Sequence, residues 1–291
     1  MNSMTTIGFI GQGFIGKHLA DDFADRGYSV VRYSLEEPYL ANRELIASCE
    51  IVFVAVPTPT TPTGFSCAAV EAVLPLIGPG KIVVIKSTVL PGTTAKLQAK
   101  FPAITILHSP EFLREKSARE DTKSPAQTII GMPIDNAHYQ AASQAVLAVL
   151  PSSPYTLVCG AAEAELIKYG GNCFLAMKVI YMNLLYDAAT ATGANYSLIA
   201  EAMQADNRIG TSHMQVIDHS GHPGSTPGRG AGGHCFPKDL AALRAWYSSS
   251  DAKDDEGVAW LTSLENKNNA LLRASFKDLD LLDGIYGEEQ S

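Results

Sequence analysis

The hydrophobic pattern changes character part-way along the chain. Up to about residue 160, short continuous apolar runs alternate with amphipathic stretches and turn-forming residues. Thr6–Ile10 reads as a short buried strand, and after a glycine-rich turn an amphipathic helix runs to about Arg26, closed by Gly27. Tyr28–Tyr33, Ile51–Val56, Lys81–Ile85, Ile104–Leu107, Gln127–Gly131 and Tyr155–Cys159 predict further strands. Helices are predicted from a cap at Ser66 to about Ile77, and from about Asp135 to Leu150. Strand alternating with helix predicts a mostly parallel sheet with helices on both faces. In such sheets ligands bind beyond the carboxyl ends of the strands.

After Gly160 the period becomes helical. Ala161 to Thr192 is unbroken except for Gly170-Gly171, and Gly193 can end it in the left-handed conformation. Such a helix spans about 45 Å, more than one domain needs, so it is expected to back the sheet and to pack on a partner subunit as a homodimer. Lys168 and Asn172 share one of its faces, and their apolar neighbours Leu166, Cys173, Phe174 and Leu175 favour an inward-facing pair over a solvated stripe. A short helix is predicted from about Ser197 to Ala205, then a loop from Thr211 to Gly228 holding His213, His219 and His222. No carboxylate or cysteine stands at ligand spacing from these histidines, so no metal site is expected. The remainder, from Leu240, reads as helical and polar, with Gly257–Leu272 its best-defined helix. The expected domains are 1–160, 161–245 and a helical tail, 246–291.

The turn after the first strand is Gly11-Gln12-Gly13-Phe14-Ile15-Gly16. Between a strand and a helix, this spacing has a geometric reading: Gly11 for the tight turn, Gly13 to admit a pyrophosphate to the backbone, Gly16 for close helix–strand packing. The N–H groups at the helix start then face the phosphates. The fold class is therefore a Rossmann-type, doubly wound α/β sheet followed by a helical domain built on one long helix. The second strand of such folds usually ends in an acid that binds the adenosine ribose; here that position holds Ser34, with Arg32 before it and Glu36-Glu37 beyond. Repulsion from the two glutamates favours NAD over NADP.

Composition narrows the function classes. The chain has 291 residues, enough for about two domains. Its 46% hydrophobic and 18% charged content is that of an ordinary globular protein. With 22 basic against 30 acidic residues the net charge is -8, which argues against nucleic-acid binding but leaves room for a small anionic substrate. There is no apolar run of about 18 residues for a membrane span and no basic segment before the first apolar run for a signal peptide. The cysteines, Cys49, Cys67, Cys159, Cys173 and Cys235, form no CxxC pair, which fits a reducing cytoplasm.

The candidate chemistry centres on Gly228-Arg229-Gly230-Ala231-Gly232-Gly233-His234-Cys235-Phe236-Pro237-Lys238-Asp239. Glycines let backbone approach a ligand, and a thiol flanked by cations can serve as a nucleophile. The plainer alternative is a glycine-rich surface turn that contains a cysteine.

Taken together, the motifs resemble the UDP-glucose/GDP-mannose 6-dehydrogenase family. The matching pieces are the Gly11–Gly16 turn, Val56-Pro57-Thr58-Pro59, Ser87-Thr88-Val89, Pro110-Glu111-Phe112-Leu113, the Lys168/Asn172 helix, Arg208-Ile209-Gly210 and Gly232 to Asp239. They occur in the family's order and cover nearly the whole chain. The resemblance implies a sugar-nucleotide substrate, two NAD and one water per turnover, and Cys235 as covalent nucleophile. It implies that Lys168 and Asn172 stabilise an oxyanion, that Glu115 assists thioester hydrolysis, and that Thr88 and Asp239 hold the catalytic water. Cofactor contacts are implied for Gly11, Gln12, Gly13, Phe14, Ile15, Gly16, Ser34, Val56, Pro57, Thr58, Thr88 and Lys238. Substrate contacts are implied for Glu111, Phe112, Leu113, Gly232, Gly233 and Arg208, the last reaching a neighbouring subunit.

UDP-glucose is the expected substrate, with GDP-mannose or another sugar nucleotide as the alternative. A two-electron 3-hydroxyacid-type dehydrogenase would share the sheet, Lys168 and Asn172 but have no use for Cys235. A non-catalytic nucleotide-binding protein is the alternative of another class. Lys116 stands where the family usually has glycine, and the sequence stops where the family's second α/β domain normally begins. The loop from Thr211 to Arg229, with Arg208, Arg229 and the histidines, is expected to take part in substrate binding.

Overall fold

The strands of the main sheet are continuous apolar runs, as expected of parallel strands covered on both faces. In the computed structural model, residues 5–114, 117–222 and 224–287 are described. Two compact units divide the chain: Met1–Thr58 with Ser66–Lys168, and Pro59–Phe65 with Tyr169–Ser291.

In chain order the first unit carries β1 (Thr6–Ile10), α1 (Phe14–Asp25), β2 (Ser29–Tyr33), a 3-10 helix (Leu40–Ser48) and β3 (Ile51–Val54). A two-stranded hairpin, β4 (Thr60–Thr61) and β5 (Gly64–Phe65), belongs to the second unit. The first unit resumes with α2 (Ala68–Val73), β6 (Ile82–Ile85), α3 (Thr93–Lys100), β7 (Thr105–His108), α4 (Ala118–Lys123), β8 (Gln127–Met132), α5 (Ala137–Val149) and β9 (Tyr155–Gly160). The sheet order is β2-β1-β3-β6-β7-β8-β9. All neighbours pair in parallel except β7 and β8. The sheet is thus mostly parallel, with β8 and β9 running opposite to the rest.

Its core is aromatic where α1 covers it. Phe9 and Phe53 stack at 5.3 Å between ring centroids, and Phe23 meets Phe9 edge-on at 5.2 Å. The register aligns the strand ends: Ile10 pairs with Val54, Val54 with Ile85, and Ile85 with His108. The segments that leave those strands therefore emerge side by side.

Several elements differ from the sequence expectation for local reasons. The helix expected from Ser66 to Ile77 ends as an α-helix at Val73, because Pro75 lacks the N–H that the next turn needs, and Leu74–Leu76 tightens into a 3-10 turn. Helix α3 was not foreseen, since its start is stabilised from elsewhere in the chain. Glu165, fully buried, accepts hydrogen bonds from Gly92 N (2.6 Å), Thr94 N (2.8 Å) and Thr94 Oγ1 (2.7 Å). A carboxylate at a helix N-terminus satisfies orphan N–H groups and complements the helix dipole.

The long helix α6 covers Ala161–Thr192, 32 residues or about 48 Å, and belongs to the first unit as far as Lys168. The second unit continues with α7 (Tyr196–Gln204), α8 (Phe236–Ser249), α9 (Asp255–Ala274) and α10 (Leu279–Tyr286). Side chains of Asn195 and Asp254 cap α7 and α9. Its core joins Ala176 and Ile180 of α6 to Leu240 of α8 and Leu271 of α9. No helix among the described residues is long and apolar enough to cross a membrane.

Glu165→Ala should strand two backbone N–H groups and one hydroxyl in a dry interior, costing about 3 kcal/mol or more. Urea unfolding checks this: the midpoint should fall at unchanged slope, and Glu165→Gln, which keeps one acceptor, should fall less.

Candidate active site

The first unit holds a dinucleotide cradle. The strand order reverses at β1, with β2 on one side and β3 on the other, the switch point at which doubly wound sheets bind nucleotides. Gly11 has φ +90, and a Cβ there would lie 2.2 Å from Ala55 O; a Cβ on Gly16 would lie 1.9 Å from Gly11 O. A Cβ on Gly13 would meet nothing within 4 Å. The outer two glycines are thus required by the chain's own packing, while the middle one borders open space. Gly13 is also the N-cap of α1, which has no side-chain cap and no acid in its first turn. That leaves the first N–H groups for an anion, and the cradle fits a pyrophosphate. Gln12 is tied back to Gly11 O at 3.0 Å, and Phe14 stands exposed at the head of the helix.

The neighbouring segments are stapled together. Ser87 Oγ donates to Val56 O (2.7 Å) and accepts from Val56 N (3.0 Å), and Thr58 Oγ1 donates to Thr88 O (2.7 Å). Val56-Pro57-Thr58 and Ser87-Thr88 therefore form one continuous rim. Ser34 Oγ donates to Glu36 O at 2.9 Å. Arg32 is ion-paired with Asp21 at 2.6 Å, so this cation already has a counter-charge and is a poor receptor for a 2′-phosphate.

A second cluster forms beside β6, β7 and α6. Lys168 Nζ donates to Glu111 O (2.5 Å) and lies 5.4 Å from the Phe112 ring centroid. Lys86, which the sequence reading passed over, bonds Ser109 Oγ at 3.2 Å and pairs with the Glu111 carboxylate at 3.1 Å. Glu111 Oε1 also accepts from Phe112 N at 2.9 Å, so both ends of this residue are held. Burial, with Lys86 nearby, pushes the His108 imidazole down to about 3 and keeps it neutral. Leu113 follows on the same segment, while Glu115 and Lys116 lie outside the described residues.

In the second unit, Asp239 is 1% exposed and accepts from Asn172 Nδ2 (2.6 Å) and Lys238 Nζ (2.5 Å). Lys238, expected at the cofactor, thus has an acid as its neighbour. Cys235 is the N-cap residue of α8, so it stands at the positive end of a helix. It is exposed, whereas Cys49 and Cys173 are buried. Burial pushes the Cys49 thiol up to about 11 and the Cys173 thiol up to about 12, and it also raises Cys159.

Arg208 forks onto Asp206, with its side chain 89% exposed. Arg229, expected to help at the substrate, is held by Asn183 Oδ1 (2.8 Å) and Asp187 (2.7 Å) on α6. The loop histidines do not converge: His213 packs edge-on against Phe236, while His222 bonds His234 (3.0 Å) and Asp280 (2.9 Å). Among the described residues no group of histidine, cysteine and acid side chains could hold a metal ion. Gly232 and Gly233 pack against Lys277 and Asp278, residues to which the sequence alone assigned no role.

Two family models match the chain: the UDP-glucose/GDP-mannose dehydrogenase family NAD binding domain over residues 39–147, and the central domain of the same family over residues 162–269. The chain belongs to the UDP-glucose/GDP-mannose dehydrogenase family. The Gly11–Gly16 cradle lies ahead of the matched span and completes the NAD-binding domain from independent geometry.

UDP-glucose 6-dehydrogenase AglM of Haloferax volcanii is 29% identical over 288 residues, 82% of this chain and 64% of that protein. UDP-glucose 6-dehydrogenase of Rickettsia prowazekii is 33% identical over 244 residues, 80% of this chain and 53% of that protein. The structure of a UDP-glucose dehydrogenase from Pyrobaculum islandicum superposes with a TM-score of 0.77 at 27% identity, covering 93% of this chain and 69% of that one. The chain thus spans about half to two thirds of the length of these curated relatives. Family membership gives the chain an NAD-binding domain, residues 39–147 of which match directly.

Thiol alkylation should discriminate among the cysteines. Near pH 8, Cys235 should react on the order of a hundredfold faster than Cys49 and Cys173, whose thiols ionise only at much higher pH. Peptide mass mapping after a brief exposure to iodoacetamide checks this.

Proposed function

We propose that this chain catalyses the four-electron oxidation of the C6 alcohol of a sugar nucleotide, UDP-glucose above the alternatives, to the uronic acid. The observation that carries the reading is the bond from Asn172 on α6 to Asp239 on α8, the helix whose N-cap is Cys235. A two-electron dehydrogenase can use Lys168 and Asn172 but needs no thiol; a second oxidation does. The names of the relatives favour UDP-glucose.

NAD, when bound, accepts the hydride in each of two oxidations. The chain's own part begins with the aldehyde left by the first. Cys235 thiolate adds to the carbonyl carbon, the C=O electron pair becomes an oxyanion, and Lys168 and Asn172 offer it N–H donors. Loss of a second hydride from that thiohemiacetal leaves a thioester on Cys235. Water held by Asp239 and Thr88 then attacks the acyl carbon, releasing the acid and returning the thiol. The sum is alcohol, two NAD and one water going to carboxylate, two NADH and three protons. Glu111, fixed through both its carboxylate and its carbonyl, and Phe112, under the Lys168 ammonium, are assigned to the substrate, with Leu113, Gly232 and Gly233.

The partner in this reading is a second copy of the chain. Phe174, Tyr181 and Leu184 stand 59%, 56% and 46% exposed on α6 at spacings of seven and three, which lines one helical face with apolar side chains. Arg208, extended into solvent, is assigned to the neighbouring copy's substrate.

With UDP-glucose, the wild type should form two NADH per sugar and the acid. Cys235→Ala should form no acid while binding NAD as before. Two NADH per sugar from the variant would eliminate the covalent route. Phe174→Glu with Tyr181→Glu should convert a dimer to a monomer in light scattering after gel filtration; a monomeric wild type would remove the partner assignment.

A further inference from the structure

We propose that Asn268, on the buried face of α9, and Lys277 and Asp278, in the elbow between α9 and α10, are positioning residues for Cys235: they fix the backbone of the glycine run that delivers it. The proposal rests on the reading of Cys235 as nucleophile.

A glycine-rich loop normally leaves its backbone groups to water. Here one short segment takes them. Ser275 Oγ accepts from Arg229 N at 2.9 Å. Lys277 Nζ donates to Gly228 O (3.3 Å) and Gly230 O (3.0 Å). Asn268 bonds both polar groups of Ala231, accepting from N at 2.8 Å and donating to O at 2.9 Å. Asp278 Oδ2 accepts from Gly233 N at 2.7 Å, two residues before Cys235. Asn268, Lys277 and Asp278 are 0%, 3% and 4% exposed, so none of these bonds competes with bulk water.

The glycines match the elbow. A Cβ on Gly232 would lie 2.2 Å from Asp278 Oδ2, and one on Gly228 would lie 2.8 Å from Lys277 Cβ. The run is therefore glycine-dense because the chain's own side chains press against it. The elbow is also held in an unfavourable conformation, with Phe276 at φ 55 and Asp278 at φ 52, both left-handed for residues that carry a Cβ. Phe276 is 77% exposed, so burial of its ring does not explain the bend. What the bend achieves is to turn two adjacent charged residues, Lys277 and Asp278, inward onto the same run. Strain that the surroundings maintain at such a point is characteristic of functional sites.

The chemistry needs this rigidity. Attack on a carbonyl requires the sulfur in near-attack geometry, and a small displacement of a reacting atom costs large factors in rate. No elbow residue is assigned a contact with substrate; each acts through the backbone that carries Cys235.

The test measures kcat with UDP-glucose, NAD affinity by fluorescence, and the pH profile of Cys235 alkylation by mass mapping, in the full chain. Asp278→Ala should lower kcat on the order of 10- to 100-fold, leave NAD affinity unchanged and displace the alkylation profile. Asp278→Asn, which keeps an oxygen for Gly233 N, should recover most of the rate. Should Asp278→Ala not fold, Asn268→Asp, which keeps the acceptor for Ala231 N and loses the donor, should give the same displacement in milder form. Wild-type kcat and profile in folded Asp278→Ala or, where it does not fold, in Asn268→Asp would overturn the positioning role alone. Turnover that survives alkylation of Cys235 in the wild type would instead overturn the nucleophile, and the positioning role with it.

Discussion

Parallel pairing in register is the constraint on which the first unit depends. Because Ile10, Val54, Ile85 and His108 share one row across four strands, the segments after them cannot scatter. Gly11 has to turn within van der Waals reach of Ala55, Ser87 can clasp both polar groups of Val56, and Glu111 follows β7 to where Lys86 can pair with it. A one-residue slip in any strand would turn its side chains to the opposite face and break this alignment. The nucleotide cradle is thus a consequence of sheet geometry, sharpened by two glycines that admit no Cβ.

The second unit solves a different problem, which is to hold irregular chain near chemistry without a large parallel sheet. Its answer is burial of polar side chains that have partners. Asp239 is almost fully enclosed yet accepts from Asn172 and Lys238, and the glycine run is bonded along its length by Asn268, Lys277 and Asp278. Each such group would be costly if orphaned, so the network is all-or-none and keeps one geometry. Helix α6 links the two solutions, carrying Lys168 in the first unit and Asn172 in the second.

The same logic sorts the cysteines. Cys49 and Cys173 lie in cores, where a thiolate has no solvation, and their thiols are pushed far up. Cys235 stands exposed at a helix start. Of these three cysteines, two serve packing and one is open to solvent.

Much of this was legible in the sequence. The sheet strands, helix α6 with its stated ends, and the turn at Gly11 and close packing at Gly16 follow from period and spacing, because each depends on local geometry or on a simple repeat. The boundary errors have local causes as well, as at Pro75. What the sequence did not disclose depends on partners far along the chain. Helix α3 is capped by Glu165, 71 residues beyond Thr94, Lys86 gains its meaning from Glu111, and the elbow at Lys277-Asp278, polar tail by its sequence, binds the glycine run. Hydrophobic period reports which face is buried; it carries no record of which distant polar group satisfies a buried one. That pairing is decided only when the tertiary structure brings the two together.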